Sequence, residues 1–120
     1  MDTGESKLVD RTKQFALRVI YLVQSLPSSA TSRVTGNQLL RSGTSVGANY
    51  RSARRARSRA EFCAKLGIVE EELDESLYWI ELLVESKIMT QKRVDDLIHE
   101  GDEILRMIVA SIVTVRKRKD

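Results

Sequence analysis

The stretch SRAEFCAKLGIVEEELDESLYWIELLVE, residues 58–85, decides the fold. Phe62, Leu66, Val69, Leu73, Leu77, Ile80 and Val84 recur in it at three- and four-residue steps. That spacing lines up one face of an α-helix. The run opens on Ser58 with Glu61 three residues on, the pattern of a capping box, in which the hydroxyl takes a backbone amide and the carboxylate reaches back. The spacing predicts a helix over 59–86. A helix with one apolar stripe has to bury it against other elements, so the neighbouring segments must supply the rest of a core.

They carry the same period. Upstream, Leu8, Phe15, Val19, Leu22 and Leu26 mark a helix over 7–26, closed by LPSSATS around Pro27, the only proline. Leu39, Val46 and Tyr50 mark a second helix over 33–57. Downstream of the break SKIMTQKRVDD, Thr90 can cap a fourth helix over 91–116, with Val94, Leu97, Ile98, Ile104, Leu105, Ile108, Val109, Ile112 and Val113. No strand-like alternation stands out. Four helices of similar length with short connections predict one all-α domain over residues 1–120, an up-down-up-down four-helix bundle.

The fourth helix is apolar over more than half of its circumference, which fits either a broad core face or a subunit contact that covers the excess. Gly36, Gly43 and Gly47 in the second helix each cost about 1 kcal/mol of helix propensity relative to alanine. They point to a close backbone approach by another helix, or else to a kink. Cys63 is the only cysteine among 120 residues, so no internal disulfide can form. No targeting segment or apolar run near the ~20 residues of a membrane span is evident. A soluble protein of the reducing cytoplasm, with no membrane contact, is expected.

Charge is distributed unevenly. Residues 31–60 carry seven arginines and no acid, whereas residues 61–90 carry eight acids and two bases. On a helical projection Arg33, Arg41, Arg51 and Arg55 share an arc of about 80°, opposite the apolar side. Arg54 and Arg57 project toward the apolar side near the helix end. In an antiparallel hairpin the acidic run Glu70–Glu75 comes level with Arg41 and not with residues 51–59. Arg41 is therefore expected to form structural ion pairs with Glu72 and Glu75, and Arg54 and Arg57 to serve a subunit interface. Arg33, Arg51, Arg55 and Arg59, with the tail Arg116, Lys117, Arg118 and Lys119, have no evident local partner. They predict either a phosphate-binding footprint or a solvated face.

Catalytic chemistry finds little support. Asp96–His99 imitates one half of a di-metal motif, but His99 is the only histidine. Cys63 has no Cys–His motif around it, and no phosphate-binding glycine loop occurs. No enzyme, cofactor or metal is expected. Aromatic residues make up only 5% of the chain, too few for a base-stacking platform of several rings. Tyr78 and Trp79 are therefore expected to pack at a helix or subunit interface.

LLRSGTSVGANYRSA (residues 39–53), followed by SRAEFCAKLGIVEEELDESLYWIELL, resembles the bacterial four-helix-bundle proteins encoded in intervening sequences of 23S rRNA genes. More distantly it is similar to the accessory proteins of diversity-generating retroelements. The resemblance rests on Leu40, Arg41, Ser42, Ser45, Gly47, Ala48 and Asn49, then Phe62, Lys65, Leu66, Glu72, Glu75, Trp79, Glu81 and Leu82. It implies a homo-pentamer with a basic surface. It also implies nucleic-acid binding, either to structured RNA or, in the retroelement branch, to RNA together with a reverse transcriptase; the basic surface by itself leaves RNA, DNA and a docked protein partner open. Members often have glutamate where this chain has Ser52, and its loss makes the patch more basic.

Overall fold

The computed structural model describes residues 4–118 and contains four helices: α1 (Gly4–Gln24), α2 (Ala30–Ala53), α3 (Arg59–Glu85) and α4 (Gln91–Lys117). Among the described residues there is no strand. α2, α3 and α4 each start where a hydroxyl satisfies an orphan amide. Ser29 accepts from the Ser32 amide at 3.0 Å, Ser58 from Glu61 at 3.0 Å and Thr90 from Arg93 at 3.4 Å. Glu61 closes its box by accepting the Arg57 amide at 3.0 Å, one residue upstream of the cap itself. At the other end of α3 the Lys87 and Ile88 amides return to the Val84 and Leu83 carbonyls at 2.9 and 3.0 Å. This is a Schellman closure with Lys87 in the left-handed region at φ 66°.

Four boundaries differ from the sequence expectation by two residues or more. α1 begins at Gly4 and ends at Gln24, because the Ser25 and Leu26 amides turn back to Leu22 and Val23. α2 begins at Ala30, since Ser29 is the cap and not a residue near Arg33. It ends at Ala53 and not at 57. Beyond Ala53 the Arg55 and Ala56 amides bond three residues back, to Ser52 and Ala53, which tightens the chain into the turn that delivers Ser58 to α3.

The helices run alternately up and down, and each packs on the next in the chain. Thr12 and Val19 of α1 face Gly47 and Gly43 of α2, Ser42 of α2 meets Ser76 of α3, and Leu77 of α3 meets Gly101 of α4. The ring closes between α1 and α4, the least extensive of the four contacts. A rod of 52 × 25 × 21 Å results. Its axis is filled by Phe15, Val19, Leu39, Val46, Leu66, Val69, Leu73, Ile80, Leu83, Val94, Ile104 and Ile108, all fully buried. Leu83 takes the core position expected of Val84, which is only half-buried. At Gly43 the Val19 side chain of α1 packs directly on the α2 backbone. A Cβ there would lie 2.8 Å from Val19 Cγ1, and a β-branched side chain in a packed helix has little freedom to retreat. The close-approach expectation holds at this glycine.

The thin α1–α4 seam is tied by charge. Arg11 donates to Glu100 through Nε at 2.9 Å and Nη2 at 2.6 Å, with Glu103 at 3.6 Å. These hydrogen bonds, together with the positive charge of Arg11, hold the Glu100 carboxyl below its ordinary value of 4.5, although partial burial opposes them. A carboxyl depressed in the folded state stabilises fully above its unfolded pKa, and that contribution is lost as pH falls through the folded value. Thermal melts of Glu100→Gln are therefore expected to show a lower Tm than wild type near neutrality. The difference should shrink as pH drops below about 4.5. A gap that stays constant down to strongly acidic pH would mean that the pair contributes nothing through ionisation.

Candidate nucleic-acid interface

In an up-down-up-down bundle the α2–α3 turn, the start of α1 and the end of α4 share one pole. The basic residues gather there. Arg51 occupies the last turn of α2, and Arg116 and Lys117 the last turn of α4. Cations at helix C-termini are favourable by about 0.3–1 kcal/mol each, so part of their placement is structural. Arg54, the C-cap of α2 with its amide on the Tyr50 carbonyl, shares that position, whereas Arg55 and Arg57 lie in the turn before Ser58; all three are exposed to solvent. The helical faces assigned to Arg55 and Arg57 therefore do not exist. No ion pair engages Arg51, Arg54, Arg55 or Arg57 among the described residues.

Arg59 is half-buried, and its Nη1 donates to the Arg118 carbonyl at 2.7 Å. This bond fastens the C-terminal basic segment to the α2–α3 turn, joining two runs nearly sixty residues apart in sequence. Lys119 lies outside the described residues. Arg33 does not join the cluster. It is exposed near the start of α2, about 27 Å along the helix axis from Arg51 at 1.5 Å per residue, at the opposite pole. That pole mixes signs, with Glu85, Asp95 and Asp96 beside Lys87, Lys92 and Arg93.

Arg41 sits between the poles and is paired with acids of α3. Its Nη1 donates to Glu72 at 3.1 Å and its Nη2 to Glu75. Trp79 Nε1 donates to the same Glu75 oxygen at 3.2 Å, and Tyr78 packs edge-on against the Trp79 ring at 5.2 Å. Beneath this layer the fully buried Ser76 hydroxyl bonds Ser42 at 2.9 Å and the Glu72 carbonyl at 2.8 Å. Together these bonds fix the register of α2 on α3. With Arg41 half-exposed, the ion pairs themselves contribute on the order of 0–1 kcal/mol.

Two grooves open at the basic pole. One, of about 650 Å³, runs between α1 and α2 and is lined by Lys13, Arg51, Arg54 and Arg55 along with small and apolar side chains. The other lies between the start of α3 and the end of α4, with Arg59, Arg116 and Arg118 at its rim and buried Cys63 within. Lys13 is a pole cation that sequence patterning missed. On α1 it is one charge among mixed neighbours, and only the antiparallel pairing of α1 with α2 sets it beside Arg51. Among the described residues no three His, Cys, Asp or Glu side chains are grouped to hold a metal ion. No helix is long and apolar enough to cross a membrane.

The family model described as 23S rRNA-intervening sequence protein matches residues 4–110. The chain belongs to that family. The chain is also similar to a solved structure, a protein of unknown function from the S23 ribosomal protein family of Bacteroides thetaiotaomicron. That relative is 34% identical, with a TM-score of 0.86, over 92% of this chain and 98% of the other. No curated protein is a significant match. Within this 23S rRNA-intervening sequence protein, the matched span takes in the whole α2–α3 turn and stops seven residues before the end of α4. The tail cations Arg116, Lys117 and Arg118 thus lie beyond it.

Proposed function

We propose that this protein is a non-enzymatic, self-associating nucleic-acid-binding protein whose basic pole contacts the phosphates of structured RNA or DNA. The observation that carries the proposal is the convergence of Arg51, Arg54, Arg55, Arg57, Arg59, Arg116, Lys117 and Arg118 on one end of the rod. Among the described side chains acids are few at this pole, Asp10 on α1 and Glu61, which accepts the Arg57 amide, whereas the opposite pole mixes both signs evenly. Exposed arginines of one sign repel each other and are relieved by a polyanion, with release of its condensed counterions. The family description, which ties relatives to ribosomal RNA genes, supports RNA as the first substrate to try.

Self-association accounts for the remaining apolar surface. Val109 and Val113 of α4 are exposed, as are Ile68 and Tyr78 of α3. Of the two readings of the over-apolar fourth helix, its exposed valines favour a subunit contact over a wholly internal face. The family resemblance makes a pentamer the expected assembly, with the basic poles presented together. Light scattering at micromolar concentration is expected to return five subunits, and a monomer would remove the assembly from the proposal.

The test of function is binding of a structured RNA and of a DNA duplex across a salt series. A linear fall of log affinity with log salt, with a slope near −0.7 to −0.9 per phosphate contact and little sequence preference, is the expected result. No binding of either at low salt would refute the proposal. The basic pole would then be a dock for an acidic protein or for a reverse transcriptase.

A further inference from the structure

The outer faces of α3 and α4 meet nothing within the chain, yet they are not built as plain solvated faces. On α4, Asp102, Arg106, Val109 and Val113 recur at three- and four-residue steps, so they share one stripe, and all four are exposed. On α3, Ala64, Gly67, Glu71, Asp74 and Tyr78 form a second stripe by the same spacing. Gly67 lies in the interior of α3, although glycine is the weakest helix former after proline. At Gly36, Gly43, Gly47 and Gly101 a Cβ would lie 2.8–3.3 Å from another part of the chain, which accounts for those glycines. At Gly67 nothing lies within 4 Å. The two stripes also carry opposite charges. Arg106 forms no ion pair among the described residues, and neither do Glu70, Glu71 and Asp74.

We infer that the α4 stripe of one copy packs on the α3 stripe of the next, with Val109 seated over Gly67. The inference rests on the self-association reading above and specifies the surfaces that carry it. In an assembly whose basic poles point the same way, α4 of one copy lies antiparallel to α3 of its neighbour, as the two do within the chain. Counting outward from Val109 over Gly67 then sets Val113 beside Ala64 and Arg106 between Glu70 and Glu71. His99 comes level with Tyr78. The same register sets Asp102 level with Asp74, a like-charged match of exposed side chains that water and salt screen. With no Cβ at residue 67 the two backbones can approach closely, and the valines lose the apolar surface they expose in the single chain. The two stripes differ, so each copy offers α4 to one neighbour and α3 to another, and the contact repeats until a ring closes. α3 and α4 are adjacent corners of the bundle, so the two contacts diverge by roughly a quarter turn, as a small ring requires. A foreign protein would account for one stripe only. Both, matched in charge and register, occur on this chain.

Light scattering across a concentration series, on two single variants and one charge reversal, tests the contact. Gly67→Gln replaces a poor helix former by a good one where the chain leaves open space, so the fold of the single chain is kept. It is expected to be a monomer at micromolar concentration with the wild-type circular-dichroism spectrum, because the glutamine occupies the seat of Val109. Arg106→Glu sets like charges against Glu70 and Glu71, and should raise the concentration needed for half-assembly by roughly a hundredfold. Adding Glu70→Arg and Glu71→Arg to Arg106→Glu should restore assembly, since the pairing is then re-formed with its signs exchanged. Retention of the wild-type oligomer by Gly67→Gln or by Arg106→Glu, or no recovery in the reversal, overturns the contact while self-association stands. A wild type that is itself monomeric removes both together.

Discussion

The double substitution Arg51→Ala and Arg55→Ala is expected to weaken binding to every RNA and DNA tested by roughly ten- to a hundredfold at low salt, and to flatten the log–log salt slope by about 1.4–1.8. Both side chains are exposed and lack ion-pair partners among the described residues, and they face the same groove from the end of α2 and from the turn beyond it. Phosphate contacts carry no sequence information, so the loss should be uniform across ligands. Stability should hardly move. Arg55 lies outside any helix, and Arg51 contributes only the few tenths of a kcal/mol to about 1 kcal/mol of a cation at a helix C-terminus. Circular dichroism and light scattering on the variant should therefore match wild type. Unchanged affinity and slope in a folded, assembled variant would show that the pole is not the phosphate-binding surface.

Phe15→Ala is expected to produce the largest loss of stability, about 3–5 kcal/mol. Phe15 is fully buried on α1 and reaches across to α4, where its ring lies 3.1 Å from the Cβ position of Gly101. Glycine there has no side chain that could move into the vacated space, and Leu77 already crowds that position from α3 at 2.9 Å. The site therefore relaxes poorly, which places the cost at the upper end of the range. The α1–α4 contact is the least extensive in the ring, and without Phe15 it would depend largely on Arg11 and Glu100. Urea denaturation of the variant should show a midpoint shift equivalent to that loss, a large fraction of the roughly 5–15 kcal/mol of a small domain. A loss below about 1 kcal/mol would mean that the core closes around the cavity.

Much of the scaffold was legible from local signals. Ser58 and Glu61 marked the start of α3, Thr90 marked the start of α4, and the three- and four-residue period picked out Phe15, Leu66, Leu73 and Ile104 as core. Each acts within a turn or two of itself and is written in adjacent residues. Arg41 opposite Glu72 and Glu75 was also within reach, because an antiparallel hairpin is close to one-dimensional and its register follows from counting back from the turn.

The end of α2 was not legible. RSARRARS contains no glycine or proline, and arginine and alanine are good helix formers, so local propensity extends the helix through residue 57. The chain leaves the helix at Ala53 because Ala53 is buried there and the remaining residues must reverse direction to bring Ser58 to α3.

The sequence by itself determined that this protein is four amphipathic helices with a basic second quarter and an acidic third. Periodicity, caps and charge are properties of neighbouring residues and need no tertiary context. Only the tertiary structure decided that the arginines form a pole and not a stripe. The turn takes Arg55 and Arg57 off the helix, antiparallel packing adds Lys13 beside Arg51, and the Arg59–Arg118 bond brings in the tail. It also sends Arg33 to the far end. The physical reason is that a helix projection measures angle around one axis, whereas a binding surface depends on position along that axis and on which helices meet there. Both are set by how the four apolar stripes pack together.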